Sequence, residues 1–315
     1  MNTTTPPRSD KAGVAPGRRK GARNISYKIQ DTIPTISTKW MATLLSARFI
    51  RDGKPLTGRE LYLLNVLAAF GGQVKDAQDI KGKGIGEIKK TRIAIRKSIH
   101  VLTTTDETKH GIQLTKEMFA AIVKTVYNTG SRKLGNIRAY KAIRRLARPV
   151  IVNVQRAIGD PIEMESYLLN ATTKDIQDEH NKALYKRIIL LSFSDFFYYM
   201  RTKTYFRISS LKRDRELLSQ SGGSAAYRFM QAIRTKTAKR AAVMKTKSSF
   251  TLELNINEVL PPQSRIAKQR NNEAIDHNMQ LMGDILSADA TTPKEEISCA
   301  ITRKDKETIV IKYLR

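Results

Sequence analysis

The placement of charge constrains this chain more than any other feature. Residues 131–148 carry seven basic side chains (Arg132, Lys133, Arg138, Lys141, Arg144, Arg145, Arg148) and no acidic one. Residues 201–247 carry thirteen basic residues against Asp214 and Glu216. Over the whole chain 57 Lys and Arg stand against 29 Asp and Glu, a net charge of +28. A compact fold with that excess repels itself unless counter-charge is supplied, and a polyanion is the natural supplier. With 315 residues, 40% of them hydrophobic, the chain can bury a core without disulfides or metals.

Several classes are excluded by what the sequence lacks. The single cysteine, Cys299, cannot form an intramolecular disulfide or a cysteine-rich zinc site, which points to a reducing compartment. His100, His110, His180 and His277 show no metal-ligand spacing. No apolar run reaches the ~18–20 residues that span a bilayer, so no membrane partner is expected. The N-terminus has basic residues but no apolar segment of a secretory signal, and its prolines and glycines make a poor amphipathic helix. Gly82-Lys83-Gly84-Ile85-Gly86 lacks the full phosphate-loop pattern and reads as a flexible basic loop. No nucleophile motif pairs with His180, and no two carboxylates share an apolar setting. The chain is not expected to be an enzyme, and no catalytic residue, cofactor or metal is assigned.

The expected fold class is mainly α. A single helical core, in one or two lobes, follows a disordered basic N-terminal arm and precedes a small C-terminal β element. Residues 1–24 have almost nothing to bury and read as the arm. Residues 25–50 carry Trp40, Met41, Leu44 and Leu45 without clear periodicity, and Pro34 breaks any helix there. They read as an extended apolar arm that docks on a neighbouring subunit. Residues 51–290 form the expected core, with helices at 59–70, 114–128, 136–148, 173–201, 224–245 and 271–287. The second half of 173–201, apolar nearly all round, should be buried. Residues 248–256 alternate like a strand, and 291–315 read as a β-hairpin around a charged turn near Arg303–Glu307.

On a helix over 136–148, Arg138, Lys141, Arg144, Arg145 and Arg148 fall within roughly a third of the circumference. Solvated faces normally mix signs. A stripe of one sign tracks phosphates. In 201–247 the basic residues interleave with Tyr205, Phe206, Tyr227 and Phe229, as suits single strands whose bases stack on aromatic rings. Phe229 falls on an apolar helix face and reads as core. Acidic residues gather instead at 160–179 and 271–300. Separate acidic and basic patches allow subunits to meet head to tail, and such a contact that does not close makes an open helical filament.

The order of these blocks resembles the coat proteins of flexible filamentous plant RNA viruses, the potyvirus-like group. Asn128-Thr129-Gly130-Ser131 stands where that family ends a helix in an Asn-Gly-Thr-Ser turn. Phe193-Ser194-Asp195 matches its Phe-Ser-Asp helix, and Tyr205, Arg207, Leu211, Arg213 and Asp214 its Tyr-x-x-Arg to Leu-x-Arg segment. Tyr227, Phe229, Arg234, Thr235, Arg240, Met244 and Lys245 echo its next long helix, and Asp276, Met279, Met282 and Gly283 its last element. The resemblance spans roughly residues 115–285 and implies a virion protein made in the host cytoplasm. It implies that Ser131 and Arg207 line an RNA groove. The family's groove Asp has no counterpart, since residues 224–245 contain no acid.

The expected function is a viral coat protein that polymerises helically around single-stranded RNA through exchange of the N-terminal arm. It binds without reading sequence. The expected RNA contacts are Ser131, Arg138, Lys141, Arg145, Arg148, Arg207, Arg213, Arg228, Arg234, Lys236 and Lys239. The alternatives are a nucleoprotein of a segmented negative-strand RNA virus and a DNA-binding replication or partition protein.

Overall fold

Ser37 opens the first helix. Its hydroxyl accepts a hydrogen bond from the Trp40 N–H at 3.3 Å, satisfying one of the donors that a helix N-terminus leaves over. The computed structural model describes residues 35–67, 112–113, 116–127, 132–154, 162–177, 184–193, 205–238, 249–293 and 295–315. It places β1 (Thr35–Ser37) before this helix, α1 (Thr38–Ser46), and β2 (Arg48–Phe49) after it. Trp40, Met41 and Leu44 lie on one face of α1 and are buried in the chain's own core. This corrects the expected docking arm at 25–50: from Ile36 onward the segment packs within its own chain. The arm at 1–24 and residues 25–34 lie outside the described residues, as does the Gly82–Gly86 loop.

The turn after β2 closes through Gly53, which has φ +61° and donates its N–H to the Phe49 carbonyl at 2.8 Å. Only glycine adopts that backbone at no steric cost. The next helix, α2, covers residues 58–67. Thr57 and Glu60 form a capping box at its start. The Thr57 N–H donates to Glu60 Oε2 at 2.7 Å, and the Glu60 N–H donates to Thr57 Oγ1 at 3.3 Å. Leu61, Tyr62, Leu63, Leu64, Val66 and Leu67 are all buried, so protein surrounds α2. A Cβ on Gly58 would stand 2.0 Å from the Ser224 carbonyl oxygen, which shows how closely α2 meets the helix that carries Ser224.

The middle of the chain follows as β3 (Ile112–Gln113), α3 (Lys116–Tyr127), α4 (Arg132–Leu146), β4 (Pro149–Val154), β5 (Ile162–Tyr167), β6 (Leu169–Gln177), β7 (Leu184–Phe193) and β8 (Tyr205–Arg207). The sheets are small and antiparallel, with strand orders β1-β8, β2-β4-β5 and β3-β7-β6. The expected helix over 173–201 is therefore wrong. Its first part is an antiparallel pair, β6 on β7, with Leu169 opposite Phe193 and Gln177 opposite Leu184. A run that is apolar all round fits a buried strand as well as a buried helix, and here β-branched residues such as Ile188 and Ile189 favour the strand. Ser194, Asp195 and the rest of that run to 201 lie outside the described residues.

The remainder is α5 (Leu211–Ser219), α6 (Gly223–Ala238), β9 (Ser249–Asn255), α7 (Ile256–Val259), α8 (Arg265–Ala290), β10 (Ser298–Arg303) and β11 (Thr308–Leu314). The strand expected at 248–256 joins the C-terminal hairpin in a three-stranded sheet of order β10-β11-β9. That sheet packs on α8, and α8 packs on α6. Helices thus form the centre, with small sheets around them. One hydrophobic cluster runs from Ile36 to Tyr313, so the expected boundaries at 50/51 and 290/291 do not divide the core.

The centre of α6 is buried on every side from Ala226 to Arg234, including two arginines. Arg234 forms a bidentate pair with Asp214 of α5, Nη1 to Oδ2 at 2.8 Å and Nη2 to Oδ1 at 2.9 Å, and its Nε donates to Asp289 Oδ2 of α8 at 2.7 Å. Burial works against the Arg234 charge, but the two carboxylates outweigh it and hold its pKa well above the ordinary value. Arg228 has no such fork. Its guanidinium donates to the carbonyls of Leu45, Leu56 and Val259, and burial pulls its pKa down to about 10, so it stays charged at neutral pH. The leftover carbonyl of Leu45, in the last turn of α1, is satisfied in this way.

Breaking a buried ion pair on one side costs about 3–5 kcal/mol, because the remaining charge stays buried without compensation. Arg234→Met should therefore lower the free energy of unfolding by about that amount. Lys236→Met, at an exposed site two residues along the same helix, should change it by less than about 0.5 kcal/mol. Urea unfolding of the two variants checks this, and equal midpoints would remove the triad from its central place.

Candidate nucleic-acid interface

The basic stripe is displayed by α4. Gly135, Ala139, Ile143 and Leu146 point into the protein, where α4 packs on α3 and β6. Arg138, Lys141, Arg144 and, just past the helix end, Arg148 are exposed. The Tyr127 hydroxyl donates to the Arg138 carbonyl at 3.3 Å and ties the middle of α4 to the end of α3. Burial pushes that hydroxyl up to about 12, which keeps it protonated as a donor. Arg144 and Arg145 lie in the last turn, where positive charge complements the helix dipole.

Arg145 differs from its neighbours. Its Nε sits 2.9 Å from Glu60 Oε1, the same carboxylate that caps α2. Its guanidinium carbon lies 4.6 Å from the centroid of the Phe49 ring, a cation–π distance. Two partners thus hold the side chain in one place, while 36% of it remains accessible. Beside it opens a cleft of about 260 Å³ lined by Phe49, Ile50, Arg51, Asp52, Arg145, Arg148 and Pro149. Its far wall is the Phe49–Lys54 turn, fixed by Phe49 N–H to Lys54 O at 2.9 Å and by Lys54 N–H to Asp52 Oδ1 at 3.1 Å. The Ile50 N–H donates to the Pro149 carbonyl at 3.3 Å and joins the two walls. Three guanidinium groups and one carboxylate border this opening.

The other basic block divides. Arg207 is exposed on β8, where it lies opposite Thr35 of β1. Among the described residues no hydrogen bond or ion pair links it to the α4 stripe. Asp214, a conceivable partner for Arg207, is taken by Arg234. Arg213 and Lys236 are exposed, and Arg215 donates to the carbonyls of Lys124 and Thr125 at 3.3 Å. Arg228 and Arg234 are corrected: both are buried and hydrogen-bonded inside the fold, so neither can reach a phosphate. Tyr227 and Phe206 are core. Ser131 and Lys239 lie outside the described residues.

The acidic block at 271–300 is largely engaged within the chain. Asp289 belongs to the triad, Asp276 pairs with Arg303, and Glu295 pairs with Arg315. It offers less free charge for a head-to-tail contact than its composition suggested. Among the described residues no three His, Cys, Asp or Glu side chains group as metal ligands, and no helix is long and apolar enough to cross a membrane.

Sequence reasoning missed Phe49, Arg51 and Glu60. Asp52-Gly53 is a turn dipeptide, and Thr57-x-x-Glu60 before an apolar run is a capping-box pattern, so both signals were present. None of the known protein families, characterised proteins or solved structures compared with the chain matches it.

Gln in place of Arg138, Lys141 and Arg144 should each change stability by less than about 0.5 kcal/mol, as exposed substitutions do. Arg145→Gln loses both the ion pair and the cation–π contact and should cost about 1 kcal/mol. Denaturant midpoints of the four variants separate the three free cations from the anchored one. A cost at Arg145 no larger than at Arg144 would contradict the assignment.

Proposed function

We infer that the chain coats single-stranded RNA as a viral coat protein or nucleoprotein, gripping the backbone without reading sequence. The observation that carries this is α4: exposed cations on one face, no acid anywhere in the helix, and an apolar opposite face that anchors it. Phosphate contacts of this kind position a protein on nucleic acid and carry no sequence information directly. Arg138, Lys141, Arg144 and Arg148 are the primary contacts in this reading, with Arg207, Arg213 and Lys236 as further surface cations. Cooperative coating would come from copies of the chain joined through residues 1–34, the part of the proposed arm that precedes β1. The open helical filament, the virion and the host cytoplasm belong to the same proposal.

Of the two viral readings, the nucleoprotein of a segmented negative-strand virus gains from two observations. The β6–β7 pair stands where the resemblance to flexible filamentous coat proteins calls for a helix. A sheet packed on α8 also stands where that family ends in a flexible tail.

Binding to single-stranded RNA should weaken steeply with salt, by about 0.7 log units per contacted phosphate for each log unit of salt. The triple variant Arg138→Gln, Lys141→Gln, Arg144→Gln should lower that slope by up to about 2. Affinity should vary little among single strands of different sequence. Titrations at several salt concentrations test this, and a slope unchanged by the triple variant, or a strong preference for one duplex sequence, would refute the function.

A further inference from the structure

We propose that the cleft between the Phe49–Lys54 turn and the end of α4 receives one unstacked base of the bound strand, and that this makes the chain prefer single strands to duplex. The inference rests on the coating function proposed above and adds to it a base-sized site with a defined stacking partner.

Three features of the cleft point to a base. First, its lining includes apolar surface from Ile50, which is 38% exposed, and from Pro149. Second, Arg145 is the one cation of the stripe that is held from two sides, by Glu60 at 2.9 Å and by the Phe49 ring at 4.6 Å. The Phe49 ring itself is only 3% exposed, so it cannot stack with a ligand. It serves as the backing of Arg145, which lines the cleft and keeps 36% of its side chain accessible. Unstacked bases bind on guanidinium planes as they do on aromatic rings. Third, Arg51 and Arg148 stand at the rim of the same opening, where the phosphates on either side of an inserted base would pass. Asp52 is the one acid at the rim, and it also accepts the Lys54 N–H. The balance of three cations to one anion suits a nucleotide better than a neutral ring.

A base in a duplex cannot enter such a cleft without being unpaired and unstacked, at a cost of about a few kcal/mol. A base in a single strand has already lost most of that constraint. The α4 stripe grips the backbone of either polymer, whereas the cleft rewards only the single strand.

Arg145→Lys isolates the effect. It keeps the charge and can still reach Glu60, but removes the plane. Arg270→Lys, at an exposed site on α8 that has no part in the proposed contacts, is the control. The probes are a single-stranded RNA carrying 2-aminopurine and a duplex RNA of equal length, both followed by fluorescence. With Arg145→Lys, single-strand affinity should fall about tenfold, the range of one lost stacking contact, with duplex affinity and the salt slope unchanged. Arg270→Lys should leave both affinities as they are. If Arg145→Lys behaves as Arg270→Lys does, or if the wild-type chain binds duplex as well as single strand, the cleft is not a base site and the coating function stands without it. A wild-type chain that binds neither polymer overturns both.

Discussion

The fold depends on a buried charge cluster. Arg234 lies between Asp214 and Asp289, and so α6 is tied at one point to α5 and to α8. The network extends further. The Tyr227 hydroxyl donates to Asp214 and accepts from Asn65 Nδ2 at 3.0 Å, which brings in α2, and Asp289 Oδ1 accepts from the Ser209 N–H at 2.6 Å, which fixes the chain between β8 and α5. A buried ion is tolerated only where every partner is present and aligned. Hydrophobic packing tolerates sliding better than a bidentate fork does. The triad therefore sets how four helices sit against each other, and the apolar cluster fills the space around that arrangement.

The same demand sorts the positive charge. Arg228 and Arg234 are drawn inward, one satisfying carbonyls at element ends and the other two carboxylates. Arg145 is half drawn in, held by Glu60 and Phe49. Arg138, Lys141, Arg144 and Arg148 have no such partners among the described residues and remain at the surface. A chain of net charge +28 thus presents a face of free cations beside one cation that is pre-positioned. Pre-positioning lowers the ordering cost of binding, because less side-chain freedom is lost when the ligand arrives.

Periodicity made parts of this legible in the sequence. The helices α3 and α4 each have one clear apolar face, and the stripe of Arg138, Lys141, Arg144, Arg145 and Arg148 followed from residue spacing alone, without setting Arg145 apart from the rest. The C-terminal strands alternate and were equally readable. Periodicity fails where an element is buried all round. In α6 apolar and charged positions are both interior, so spacing could not separate Arg228 and Arg234 from surface cations. In β7 the apolar run had no polar face, and helix and strand looked alike. Residues 35–50 failed for another reason: Pro34 drew attention, while Ser37, three residues before Trp40, was the cap that begins α1. The cleft depends on Phe49 meeting Arg145 across 96 positions of chain, a contact that no local pattern announces.

The proposed coating of single-stranded RNA along its length is measured directly by nuclease protection. A long single-stranded RNA saturated with the protein should resist digestion throughout, with the same number of nucleotides protected per protein for unrelated sequences and no comparable protection of duplex. Protection confined to one sequence, or full digestion at saturating protein, would contradict the account.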